Sequence, residues 1–132
     1  MKYLLDTHVI LWALVDSDKI TDKIKSIILN SNNQIYYSSV SPWEVEIKHQ
    51  KVNTFKLSGK DFCWLCDQNN IINLSINNKH VCELANLNKK KNIEHNDPFD
   101  KMLLAQAKAE NMIFITHDKK FKAYKEENIL LF

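Results

Sequence analysis

The sequence predicts an α/β fold, a three-layer sandwich around a mainly parallel five-stranded sheet, and three observations lead there. Five short apolar runs are continuous rather than alternating, as strands covered on both faces must be. Longer segments with helical spacing stand between them. Strands and helices alternate along the chain, which favours layers of helices on one sheet over separate α and β halves.

Tyr3–Leu5 is the first strand, and His8–Val15 with Thr21–Leu29 forms a helix pair. Gln34–Tyr37 is the second strand. The next helix, Pro42–Gln50, carries Ser41-x-x-Glu44 at its start with proline at its first position, the pattern of a capping box. Ser58-x-x-Asp61 repeats that pattern before the helix Gly59–Asn69. Ile71–Leu74 is the third strand and Asn78–Leu87 a further helix. Asn86 to Asn96, with Lys89-Lys90-Lys91, is the longest loop-like stretch. The helix Pro98–Glu110 follows Asp97, and the strands Met112–Ile115 and Ile129–Leu131 complete the sheet.

At 132 residues the chain is expected to form one domain, residues 1–132, with a real core. Hydrophobic residues make up 45% of it, which excludes disorder. The net charge of +2 is too small to announce a nucleic-acid partner by itself. All 18 basic residues are lysines, so bidentate guanidinium recognition is not open to the chain. A single glycine, Gly59, excludes a glycine-rich phosphate loop. The five histidines lack zinc spacing, and Cys63-Trp64-Leu65-Cys66 lies within a helix, where core packing is its expected role. Trp12, Trp43 and Phe62 are read mostly as core. Three cysteines, no signal peptide and no apolar stretch near 20 residues point to a reduced, soluble, cytoplasmic protein.

Four acids carry the chemistry. Asp6 ends the first strand, and Asp118 follows the fourth by way of Thr116 and His117. Glu44 and Asp100 stand at the third positions of expected helix starts. In a parallel sheet ligands bind beyond the carboxyl ends of the strands, so these four segments can meet in one cleft. Acids gathered there repel one another unless a cation intervenes, and all-oxygen ligands suit Mg²⁺ or Mn²⁺. Asp100 shares the apolar stripe of Leu103, Leu104 and Ala107, whereas Asp97 aligns with Lys101 and Lys108. Asp97 is therefore the expected cap and Asp100 the inward acid. With no arginine to pair it, a metal would satisfy it. Local pattern leaves Glu44 between helix cap and ligand, and an aspartate after a strand is commonly only a turn or N-cap residue. Lys101, Lys119, Lys120, Lys122 and Lys125 form either a solvated face or a basic rim that grips a phosphate backbone. If the four acids share one site, the rest of the molecule carries 18 lysines against twelve acids.

Leu4-Leu5-Asp6-Thr7-His8, Ser41-Pro42-Trp43-Glu44, His95-Asn96-Asp97-Pro98-Phe99-Asp100 and Ile115-Thr116-His117-Asp118 resemble, in order and spacing, the four motifs of PIN domains. More closely, they are similar to the VapC-type toxins of bacterial toxin–antitoxin pairs. The resemblance covers essentially the whole chain. It implies a PIN-like fold and a metal-dependent endoribonuclease, usually dimeric, held inactive by a cognate antitoxin. It gives the metal-binding role to Asp6, Glu44, Asp100 and Asp118, and supporting positions to Thr7, Asp97 and Thr116. Where the family often has arginine, this chain has Lys101 and His117. Both remain polar candidates for contact with the RNA backbone, beside Lys119 and Lys120. Two other readings stay open. One is a catalytically silent PIN-like module that binds RNA or protein. The other is a phosphatase of small substrates, weakened by His8 standing where a second aspartate belongs.

Overall fold

The computed structural model describes residues 1–91 and 93–132. Strands β1 (Lys2–Leu5), β2 (Gln34–Ser38), β3 (Ile72–Leu74), β4 (Ile113–Thr116) and β5 (Ile129–Leu131) form one sheet in the order β3-β2-β1-β4-β5. Every pairing is parallel. Between them run α1 (Thr7–Leu14), α2 (Asp22–Leu29), α3 (Val40–Lys51), α4 (Gly59–Gln68), α5 (Asn78–Glu83) and α6 (Pro98–Ala109). Short 3₁₀ turns cover Leu84–Asn86 and Lys119–Ala123. The helix expected at Asn78–Leu87 thus tightens into a 3₁₀ turn after Glu83. The expected loop from Asn86 to Asn96 includes position 92, which lies outside the described residues.

Strand alternation divides the core into two layers. Tyr3, Leu5, Ile35, Tyr37 and Ile115 face α1, α2 and α4 through Val9, Ile10, Ile24, Phe62 and Cys66. Leu4 and Phe114 face the other way, onto Leu103, Leu104 and Ala107 of α6 and onto Phe121 and Tyr124. Both sheet faces are covered, which is why the strands read as unbroken apolar runs. Cys66 is a core residue as expected, and burial pushes its thiol up to about 12.

A chain with one glycine must end its helices another way. Asp16, Asn70 and Asn111 take left-handed conformations (φ 50°, 59° and 55°) just after α1, α4 and α6. The next amide then bonds back into the last turn, as in Ile71 N–H to Cys66 O (2.9 Å) and Met112 N–H to Ala107 O (2.8 Å). Short polar side chains tolerate that conformation best after glycine. The turns at Asn70 and Asn111 deliver the chain at once into β3 and β4. Among the described residues no helix is long and apolar enough to cross a membrane.

Candidate active site

The strand order reverses direction at β1, and the crevice beside it opens at the carboxyl ends of β1 and β4. Asp6 stands at that point. Its backbone N–H bonds to Ile115 O at 2.9 Å, continuing the β1–β4 ladder and bringing its side chain beside Thr116. Thr116 Oγ1 donates to Asp6 Oδ2 (2.7 Å) and accepts from Asp118 N–H (3.0 Å). The other oxygen, Asp6 Oδ1, accepts from Thr7 N–H at 2.8 Å. Asp6 is therefore also the N-cap of α1, and Asp118 caps the following 3₁₀ turn by accepting from Lys120 N–H. For both residues the local structural role and the convergence coexist.

Thr7 continues the chain of bonds. Its hydroxyl donates to Glu44 Oε1 at 2.8 Å, so its contact with Ser41 Oγ (2.7 Å) must have serine as donor. An unbroken path thus joins Asp118, Thr116, Asp6, Thr7 and Glu44. It corrects the capping-box expectation at Ser41. Helix α3 begins two residues earlier, at Val40, whose N–H is taken by Ser38 Oγ. Pro42 is the third helical residue rather than the first. Ser41 and Glu44 are thereby freed to face Thr7 instead of capping their own helix. Ser41 is the site residue that pattern reading missed, because its spacing to Glu44 imitated a cap.

Asp97 caps α6 as expected, accepting from Phe99 N–H (2.9 Å) and Asp100 N–H (3.2 Å). Asp100 turns inward, its side chain only 13% exposed. Its partner corrects the expectation that, with no arginine to pair it, a metal would satisfy it. Buried His95 meets Asp100 Oδ2 through Nε2 at 3.1 Å, while its Nδ1 meets the hydroxyl of Tyr124 at 2.8 Å. The sequence offered one signal, a histidine five residues before Asp100. Nothing in it pointed to Tyr124.

The acids share one field. Burial pushes the Glu44 carboxyl up to about 7, opposed by the Thr7 hydrogen bond and reinforced by repulsion from Asp6, Asp100 and Asp97. Burial raises Asp100 to about 6, with Asp97 and Asp6 adding to it and His95 opposing. Asp6 is raised by burial too, against its bonds from Thr116 and Thr7, and Asp118 adds repulsion. Among the described residues no lysine pairs with any of the four.

The carboxylates are turned to protein donors rather than to a common centre. Among the described residues no three Asp, Glu, His or Cys groups are close enough together to clasp one ion. Glu44 Oε2, Asp100 Oδ1 and Asp118 Oδ2 have no hydrogen-bond partner among those residues. Hard, mutually repelling oxygens of this kind are the donor chemistry that suits a divalent cation such as Mg²⁺.

Of the lysines that follow the acids in sequence, Lys119 and Lys120 are exposed and Lys101 is half-buried. His117 is exposed, with its ring against Trp12 (5.4 Å) and Phe132 (4.8 Å). Phe62 is core, but Trp43 is not: it is 55% exposed and meets Phe99 edge-on at 4.7 Å.

No curated protein matches this sequence. Solved structures similar to this chain include VapBC2 from Rickettsia felis bound to a DNA fragment from their promoter. That likeness has TM-score 0.72 at 18% identity and covers 100% of this chain and 99% of the other. VapBC-1 from nontypeable Haemophilus influenzae is similar with TM-score 0.68 at 21% identity, over 93% and 92% of the two chains. DNA-bound VapBC from Salmonella typhimurium is similar with TM-score 0.68 at 15% identity, over 98% and 97%. At such identities the likeness concerns the fold, which is the PIN-like sandwich. A family model for the PIN domain matches residues 3–127, from β1 to the turn before β5. The chain belongs to the PIN domain family.

Proposed function

We propose that this PIN domain, acting as one unit over residues 1–132, is a metal-dependent endoribonuclease and the toxin of a toxin–antitoxin pair. The observation that carries the reading is the bonded path from Asp118 through Thr116, Asp6 and Thr7 to Glu44, with Asp100 within electrostatic reach. It gathers acids from four distant segments at the point where a parallel sheet takes its ligands.

Asp6, Asp100 and Asp118, with Glu44, would hold Mg²⁺ or Mn²⁺. When bound, the ion supplies a polarised phosphoryl oxygen and an acidified water. Thr116 and Thr7 fix Asp6 from both sides, so its carboxylate enters the site already oriented. Glu44, whose carboxyl is raised to about 7, is suited to take the water's proton at Oε2 near neutral pH. Lys101, His117, Lys119 and Lys120 lie beside the acids and hold the flanking RNA backbone. Unpaired RNA is the substrate, because its backbone bends into a cleft and its bases are accessible. Three similar structures are of VapBC, which supports an antitoxin partner. The protein acts in the cytoplasm as a homodimer.

An RNA-cleavage assay on wild type and Asp100→Asn, with Mg²⁺ or Mn²⁺ and with chelator, tests the proposal. Cleavage should need the ion and disappear in the variant. Activity indifferent to chelation, or equal in both proteins, sinks it.

A further inference from the structure

Asp100 stands in the first turn of α6, and its side-chain partner is a residue outside the bonded path that joins the other three acids. His95 is 6% exposed and Tyr124 equally so, and the two rings meet edge-on at 5.3 Å. Phe121, 1% exposed, closes another side of the imidazole at 5.6 Å. The ring therefore has little room to turn or flip. Both of its nitrogens are occupied, Nε2 by Asp100 Oδ2 and Nδ1 by the Tyr124 hydroxyl.

The hydrogen-bond inventory fixes the direction of this relay. An ionised carboxylate only accepts, so Nε2 must carry a hydrogen. A neutral imidazole then has a bare Nδ1, which takes the hydrogen of Tyr124. Tyrosine can serve that role throughout the physiological range, because burial, and then the charge of Asp100, hold its phenol above its ordinary value. Tyr124 reaches this position through a brace of its own. It bridges Lys89 antiparallel, and the flanking bonds run from Lys90 N–H to Ala123 O (2.7 Å) and from Lys125 N–H to Asn88 O (2.6 Å).

We propose that Tyr124 and His95 form a positioning relay in which the phenol, donating to Nδ1, reinforces the Nε2–H tautomer that the Asp100 carboxylate demands, and that tautomer fixes Asp100 Oδ2. Asp100 Oδ1 is then the oxygen presented to the cation. His95 and Tyr124 touch neither ion nor RNA; they act through Asp100. The inference rests on the proposed metal-binding role of Asp100. Outer partners of this kind ordinarily change metal affinity by about 10- to 100-fold when removed.

Two measurements test it. Nitrogen-15 NMR of the histidine rings, on metal-free protein at neutral pH, should find His95 protonated on Nε2 alone. Tyr124→Phe should add an Nδ1–H population while the backbone spectrum stays folded. Mn²⁺ titration followed by electron paramagnetic resonance should show affinity lowered by about tenfold in His95→Ala. His95→Gln should recover most of it, since its amide can donate to Asp100, and Tyr124→Phe should fall between. Protonation of His95 on Nδ1 in the wild type overturns the relay. So does a folded Tyr124→Phe with wild-type tautomer and wild-type Mn²⁺ affinity. If the wild type takes up no Mn²⁺ and cleaves no RNA, the functional reading fails instead, and the tautomer pattern of wild type and Tyr124→Phe still decides the relay.

Discussion

Thr7 donates its hydroxyl to Glu44 at 2.8 Å, and that bond ties the first residue of α1 to the first half of α3. Ser41, fully buried, donates in turn to Thr7. Thr7→Val keeps the shape of the side chain but removes both partners, leaving a buried serine hydroxyl unpaired. The expected cost is about 1–3 kcal/mol, read as a lower urea midpoint at unchanged slope. RNA cleavage should fall more than stability alone accounts for, because Glu44 loses its orienting donor. Thr7→Ser should keep both properties near wild type. A Thr7→Val protein as stable and active as wild type would remove Thr7 from the site.

The raised carboxyls make a signed prediction about pH. Glu44 sits near 7 and Asp100 near 6, both raised chiefly by burial, whereas in the unfolded chain each titrates at about 4. The folded protein therefore holds protons that the unfolded chain has already lost. Their contribution to stability is complete below about pH 4 and disappears as pH climbs through 6 and 7. With chelator present, the Tm should drop from pH 5 to pH 8, and Glu44→Gln and Asp100→Asn should each flatten the drop. Mg²⁺ or Mn²⁺ should raise the Tm far more at pH 8 than at pH 5, since it binds the ionised acids. A melting temperature that rises over this window, unaffected by Glu44→Gln, contradicts the shared field.

Much of this arrangement was legible in the sequence because it depends on periodicity and chain order. Continuous apolar runs gave five parallel strands within a residue or two of their ends, and helix phase separated inward Asp100 from capping Asp97. Bonds made across the fold were not legible. Ser41 matched a capping pattern perfectly, yet its hydroxyl was claimed by Thr7, a competitor 34 residues away. His95 filled the place that the absence of arginine left to a metal. Trp43 followed helical spacing into an expected core position, yet it is exposed and packs edge-on against Phe99. A tertiary partner overrode a sound local rule at Ser41 and at Asp100, and both residues lie at the candidate site.

Lys119 and Lys120 follow Asp118 on an exposed 3₁₀ turn and form no ion pair among the described residues. As partners of the RNA backbone they should strengthen binding without entering the chemistry. Lys119→Gln with Lys120→Gln should raise KM for a short unpaired RNA and leave kcat close to wild type. The dependence of log affinity on log salt should lessen by about 0.7 for each phosphate that is no longer neutralised. An unchanged salt slope returns these two lysines to the status of an ordinary solvated face.

Gly59 joins the support of the site to its chemistry. A methyl group there would lie 2.8 Å from Pro42 O and 3.1 Å from Glu46 Cβ, both on α3. Its N–H is also taken by Glu46 Oε1 at 3.0 Å, so α4 starts hard against the helix that carries Ser41 and Glu44. Pro42 O is backbone and cannot step aside as a flexible side chain does, so the helices must separate. Gly59→Ala should cost about 1–3 kcal/mol, read by urea unfolding. Assayed well below its melting point, the variant should also cleave RNA more slowly, since moving α3 alters the reach from Thr7 to Glu44. Full activity in a destabilised variant would mean that α3 yields at its far side and that the Thr7–Glu44 geometry does not depend on this packing.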